Sequence, residues 1–120
     1  MLQAGSEMTL TLWHNPRCSK SRQTLALLID RGHTPTLRLM LDDPPSAAEI
    51  TDVTHRLGLS LRDVTRKGEA LYKSLSLGKA DDATLLTALT NHPILIERPI
   101  LLTGTKAAIG RPPETVLDIL

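Results

Sequence analysis

Apolar and polar residues alternate from Met8 to Trp13, with Leu10 and Leu12 set among Thr9 and Thr11, and Asn15-Pro16 follows at once. A two-residue period predicts a strand, and the Asn-Pro pair ends it. From Ser21 to Arg31 the period changes: Leu25, Leu28 and Ile29 fall at helical spacing, and Gly32 supplies a C-terminal stop. Thr36 to Leu41, entered from Pro35 and closed by Asp42-Asp43-Pro44-Pro45, reads as a second strand. Strand, helix and strand in such close succession predict a βαβ unit with parallel strands and a right-handed crossover.

The middle of the chain carries helical signals. Ser46 with Glu49 three residues later is a capping box, and Ile50, Val53 and Leu57 keep one face until Gly58. Leu61 to Lys67 and Glu69 to Leu77 read as two shorter helices parted at Gly68. Asp81 and Asp82 open another, with Leu85, Leu86 and Leu89 on one side and His92-Pro93 closing it. Beyond it, Ile100-Leu101-Leu102, the turn Thr103-Gly104-Thr105-Lys106 and Ala107-Ala108-Ile109 predict a hairpin, and Pro112-Pro113 prepare a last helix through Val116, Leu117 and Leu120.

The order βαβ, helices, ββα is that of an α/β, thioredoxin-like fold with a mixed four-stranded sheet. The expected organisation is a tail over 1–7 and a single domain over 8–120, with a helical insertion at about 46–92. In such a fold the Arg98–Pro99 bond is a candidate for the cis form, because a cis-proline stands beside the active cysteine.

Composition narrows the function classes. Aromatics are 2% with no Phe, which argues against base-stacking platforms, and a formal net charge of +1 gives no reason to expect a nucleic acid partner. No apolar run reaches the roughly 18 residues of a membrane span. A lone cysteine forms no internal disulfide, no Cys/His cluster has zinc spacing, and Met1 to Glu7 lacks the features of a secretory signal. The expectations are a cytoplasmic monomer that binds neither metal nor resident cofactor.

That cysteine, Cys18, stands in His14-Asn15-Pro16-Arg17-Cys18-Ser19-Lys20-Ser21-Arg22, at the carboxyl end of the first strand and the start of the first helix. Open α/β sheets place ligands there. Unpaired N–H groups, the helix dipole and the charges of Arg17, Lys20 and Arg22 stabilise a thiolate, and such surroundings bring a thiol pKa from about 8.5 down to roughly 3.5–7.5. The same N–H groups suit an oxyanion. Ser21 occupies the place where a Cys-x-x-Cys pair has its second thiol, so an adduct on Cys18 must be resolved by an outside thiol.

His14, four residues upstream, is a candidate to stabilise the thiolate or shuttle its proton. Arg66, Arg98 and Arg111 are candidate oxyanion ligands, since guanidinium forks bind tetrahedral anions bidentately. Arg98 directly precedes the third strand and Arg111 closely follows the fourth.

His14 to Cys18 with Ser21-Arg22, then Arg66-Lys67, His92-Pro93-Ile94, Glu97-Arg98-Pro99-Ile100 and Gly110-Arg111-Pro112 together resemble the glutaredoxin-coupled arsenate reductases, from about Thr9 to Leu120. The residues after the nucleophile, Ser19 and Lys20, stand where the best-characterised members have Gly and Thr, and they resemble a housekeeping branch of the family. The resemblance implies that Cys18 attacks arsenate to form a thioarsenate ester, that His14 supports its thiolate, and that Arg66, Arg98 and Arg111, with Ser21 and Arg22, hold the oxyanion. Glutathione, as external reductant, and glutaredoxin would supply the electrons that release arsenite. Two other readings stand beside this one: a glutathione-dependent thiol oxidoreductase, which shares the nucleophile and acts on another substrate, and an Spx-like regulator, which shares the fold and binds RNA polymerase.

Overall fold

The structure, a computed structural model, describes residues 9–120. The predicted strand start at Met8 and the expected tail over 1–7 lie outside the described residues. Four strands, β1 (Thr11–His14), β2 (Thr36–Leu39), β3 (Ile100–Leu102) and β4 (Ala107–Ile109), form one sheet in the order β2-β1-β3-β4. β1 runs parallel to β2 and antiparallel to β3, and β3 pairs antiparallel with β4, which makes the sheet mixed as expected.

Alternation along the strands sorts side chains onto two cores. Leu12, Leu101 and Ala108 join Leu28 and Val116 on the face covered by α1 (Ser19–Asp30) and the 3-10 segment Pro113–Ile119. Trp13, Ile100 and Ala107 point the other way, against Ile50 and Val53 of α2 (Ala47–Leu57) and Leu85 and Leu89 of α4 (Asp82–Asn91). With strands of three and four residues, this double burial supplies most of the cohesion.

Local signals set the helix ends. In α2, Ser46 accepts the Glu49 N–H at 3.2 Å while the Glu49 carboxylate accepts the Ser46 N–H at 2.9 Å, and Gly58 closes the helix at φ +68°. Gly32, at φ +85°, follows the end of α1. Asp81 caps α4 through the Thr84 N–H. No helix among the described residues is long and apolar enough to cross a membrane.

The predicted helix over Leu61 to Lys67 is not formed. Ser60 and Asp63 bond each other's backbone N–H groups and close one turn. The chain then pairs as a bridge between Thr65 and Ile96, with the Arg66 N–H donating to the Leu95 carbonyl at 2.7 Å and the Glu97 N–H to Val64 at 2.8 Å. Long-range pairing of a β-branched residue overrides a local helical period. The bridge carries Arg66 beside Glu97 and Arg98. The following helix, α3 (Ala70–Ser74), is shorter than predicted, and the last is a 3-10 segment. The Arg98–Pro99 bond is cis, and so is Arg111–Pro112.

Candidate active site

Buried β1 ends at His14, and the next three residues turn the chain so that Cys18 becomes the N-cap of α1 with extended backbone. Asn15 organises that turn: its carbonyl accepts the Cys18 N–H at 2.9 Å and its Oδ1 the Arg17 N–H at 3.0 Å, while its own N–H donates to Ser21 Oγ at 3.0 Å. Ser21 Oγ also lies 2.7 Å from His14 Nδ1. The side chain of Arg22 reaches back to the Pro16 carbonyl at 2.9 Å. The loop is therefore pinned from both sides, and Cys18 is left half-buried at its crest.

Two arginines meet the sulfur from the far side of the fold. Arg111 Nη2 lies 3.3 Å from Cys18 Sγ, and its Nε donates to the Arg98 carbonyl at 2.8 Å. Arg98, 6% exposed, lies beside the sulfur, anchors Nη1 on the Ile94 carbonyl at 2.7 Å and leaves Nε buried without a partner. Burial is the largest influence on the thiol and pushes its pKa up. The Ser21 N–H, the Arg98 guanidinium, the Lys20 N–H and the charge of Arg111 together outweigh it, so the pKa lies below the ordinary thiol value.

Arg66 stands one shell out. Its Nε pairs with Glu69 Oε2 at 3.1 Å and its Nη1 with Glu97 Oε1 at 3.2 Å, while Glu69 Oε2 also lies 4.0 Å from Arg98 Nη2. Arg66 and Arg111 line one open groove of about 390 Å³ with Glu69, Glu97 and Lys67. Burial and then the charge of Arg66 lower the pKa of Arg98, yet a guanidinium stays protonated. A buried cation with an unused donor is a strong place for an anion.

The expected residues thus separate. Arg98 and Arg111 converge on Cys18, and Arg66 joins them through the groove. His14, Ser21 and Arg22 bond within the loop that carries Cys18. His14 makes its bond to Ser21 and none to the sulfur, and burial lowers its pKa, so a neutral ring at neutral pH lends the thiolate no positive charge. Ser21 is fully buried, with its hydroxyl committed to His14 and Asn15. Arg22 spends one donor on the loop carbonyl at Pro16. Glu69, Glu97 and Asn15 were not singled out as functional from sequence. Glu97 adjoins Arg98, the one local signal that could have marked it, whereas Glu69 gains meaning only from the fold.

A thioredoxin-like sheet that presents one cysteine at a helix N-terminus, with Arg98 and Arg111 beside its sulfur, defines a class: single-cysteine proteins of thioredoxin-like fold. Residues 13–119 match the ArsC family, and the chain belongs to it. It is 47% identical to the arsenate reductase of Haemophilus influenzae over 94% of this chain and all of that one. It is 46% identical to the uncharacterized protein YfgD of Escherichia coli K12, with 91% and 94% of the two chains covered. A solved arsenate reductase structure from Vibrio cholerae superposes with a TM-score of 0.92 at 44% identity, covering 96% of this chain and all of its own.

Proposed function

We propose that the protein is an arsenate reductase in which Cys18 is the nucleophile. The observation that carries this reading is the approach of Arg111 to within 3.3 Å of Cys18 Sγ, with Arg98 beside it holding a buried donor unpaired. Guanidinium forks neutralise a tetrahedral oxyanion and the charge that develops on its oxygens as sulfur attacks. Arg66 extends the cationic surface, and its pairing with Glu69 and Glu97 positions it before substrate arrives. His14 and Ser21 act as positioning residues that hold the loop, and Arg22 braces it from outside.

In the first step Cys18 Sγ forms a bond to arsenic and one arsenate oxygen leaves as water after protonation, giving a thioarsenate ester. Two outside thiols, from glutathione and glutaredoxin, then supply two electrons. Arsenic passes from the pentavalent to the trivalent state, the two outside sulfurs join as a disulfide, and arsenite and the Cys18 thiolate are released. One arsenate and two thiols thus become one arsenite, one disulfide and one water. With a single cysteine in the chain, both reducing equivalents come from outside. This chemistry suits the cytoplasm, where glutathione keeps thiols reduced.

A structure determined with bound arsenate tests the site. Arsenate oxygens should lie within hydrogen-bond distance of Arg98 and Arg111 and beside Cys18 Sγ. Arsenate seated away from these groups contradicts the proposal.

A further inference from the structure

Next to the arginine groove lies a second concavity of about 500 Å³, lined by Lys67, Tyr72, Lys73, Ser76, Gly78 and Lys79. Its size falls within the range of small-ligand sites. Lys67 belongs to both cavities, and Arg111, on the wall of the first, touches Cys18 Sγ. Lys67 therefore joins the second cavity to a groove of mixed charge, where Asp63, Glu69 and Glu97 stand among Arg66, Lys67 and Arg111, and Arg111 carries that groove to the sulfur.

The cavity is held in shape from below. Arg62 donates to the Tyr72 hydroxyl and the Leu77 carbonyl, each at 2.9 Å, and to the Ala80 carbonyl at 2.6 Å, tying the Leu77–Lys79 turn to α3. Between them Ser76 takes a left-handed backbone at φ +56°, the one non-glycine residue among those described to do so. Strained backbone of this kind concentrates where ligands are held. No carboxylate lines the cavity, and none of its three lysines forms an ion pair among the described residues.

We propose that this lysine-lined cavity binds the reducing thiol, a small peptide thiol with free carboxylates of which glutathione is the representative, and directs its sulfur along the groove to the adduct on Cys18. The inference rests on the reading above that an outside thiol reduces that adduct. Charge selects the ligand: two carboxylates and one ammonium give glutathione a net negative charge, and lysine ammonium groups are compact, mobile partners for carboxylates. Size admits it too, since about 500 Å³ lies within the range of small-ligand sites. The lysine stems and the Tyr72 ring offer apolar walls to its backbone.

Two measurements test this. The first is a titration of isotope-labelled protein with S-methylglutathione, which binds but cannot react, followed by amide chemical shifts. Saturable shifts at Lys67, Tyr72, Lys73, Ser76, Gly78 and Lys79 are expected; shifts confined to other residues, or none at millimolar ligand, overturn the proposal. The second is steady-state turnover of the full chain with glutaredoxin present. In Lys73→Ala/Lys79→Ala the KM for glutathione should rise about tenfold while kcat at saturating glutathione recovers, and Lys106→Ala, in the distant hairpin turn, should leave that KM unchanged. An unchanged glutathione KM in the double variant overturns the proposal and leaves arsenate reduction standing. If the wild-type chain turns over no arsenate, the functional reading falls, and the titration alone decides whether the cavity binds the peptide thiol.

Discussion

Arg111 and Cys18 are 93 positions apart in the chain, yet the guanidinium of one lies 3.3 Å from the sulfur of the other. The contact is produced by the sheet. β1 delivers Cys18 at its carboxyl end, and β4, two strands away, runs antiparallel to β3 so that its own carboxyl end returns to the same edge. Arg98, just before β3, arrives there for the same reason and lends Arg111 its carbonyl as a perch at 2.8 Å.

Replacing Arg111 by Ala should therefore change two things together. The Cys18 alkylation midpoint should move to higher pH, because a positive charge beside the thiolate is lost. Arsenate kcat/KM should fall by about a hundredfold or more, the usual scale for removing one charge-stabilising donor. Iodoacetamide kinetics against pH and arsenite release measure the two effects on the same samples.

Arg66→Ala should part those effects. Arg66 pairs with Glu69 and Glu97, whereas the groups that lower the thiol pKa are the Ser21 and Lys20 N–H groups, Arg98 and Arg111. The alkylation profile should stay in place while the arsenate KM rises. A shift of the alkylation midpoint as large as that of Arg111→Ala would mean that Arg66 reaches the sulfur directly.

Gly110 controls the approach of Arg111. A Cβ there would collide with Thr24 Oγ1 of α1 and stand 2.8 Å from Pro99 Cγ, so Gly110→Ala must push the start of the Arg111 segment outward. A loss of about 1–3 kcal/mol of stability is expected from such overpacking, together with a higher Cys18 alkylation midpoint. Urea unfolding and alkylation of the same variant check both.

His14 makes stability depend on pH. Burial lowers its folded-state pKa, so below the unfolded value of about 6.5 the unfolded chain binds more protons. Stability from the neutral ring is fully present above that pH and is lost as pH falls toward the folded pKa. Urea midpoints from pH 8 to pH 5 should decline for the wild type and decline less for His14→Gln. Cys18 acts on the alkaline side: its depressed pKa adds stability that grows as pH rises from the folded thiol value to the unfolded one, and Cys18→Ser should lack that rise.

Much of this fold was legible in the chain. The period change between Leu12 and Leu25, the Ser46/Glu49 box and the Gly58 stop are local signals, and each marks an element that the structure forms. The segment at Leu61 to Lys67 was misread because its fate depends on Ile96, a partner some thirty residues away that no local period reports. The site divides in the same way. Cys18 announces itself through its neighbours, and the family resemblance drew in Arg66, Arg98 and Arg111. The carboxylates that order these arginines, and the redirection of His14 to Ser21, exist only in the packed structure.

The central claim is that the Cys18 thiolate, held by Arg98 and Arg111, attacks arsenate. The most direct measurement is arsenite formation by arsenic speciation, with glutathione and glutaredoxin, for the wild type and for Cys18→Ser. The account predicts turnover by the wild type and none above background for the variant. Arsenite released by Cys18→Ser at a wild-type rate, or no turnover by the wild type at saturating arsenate, would contradict it.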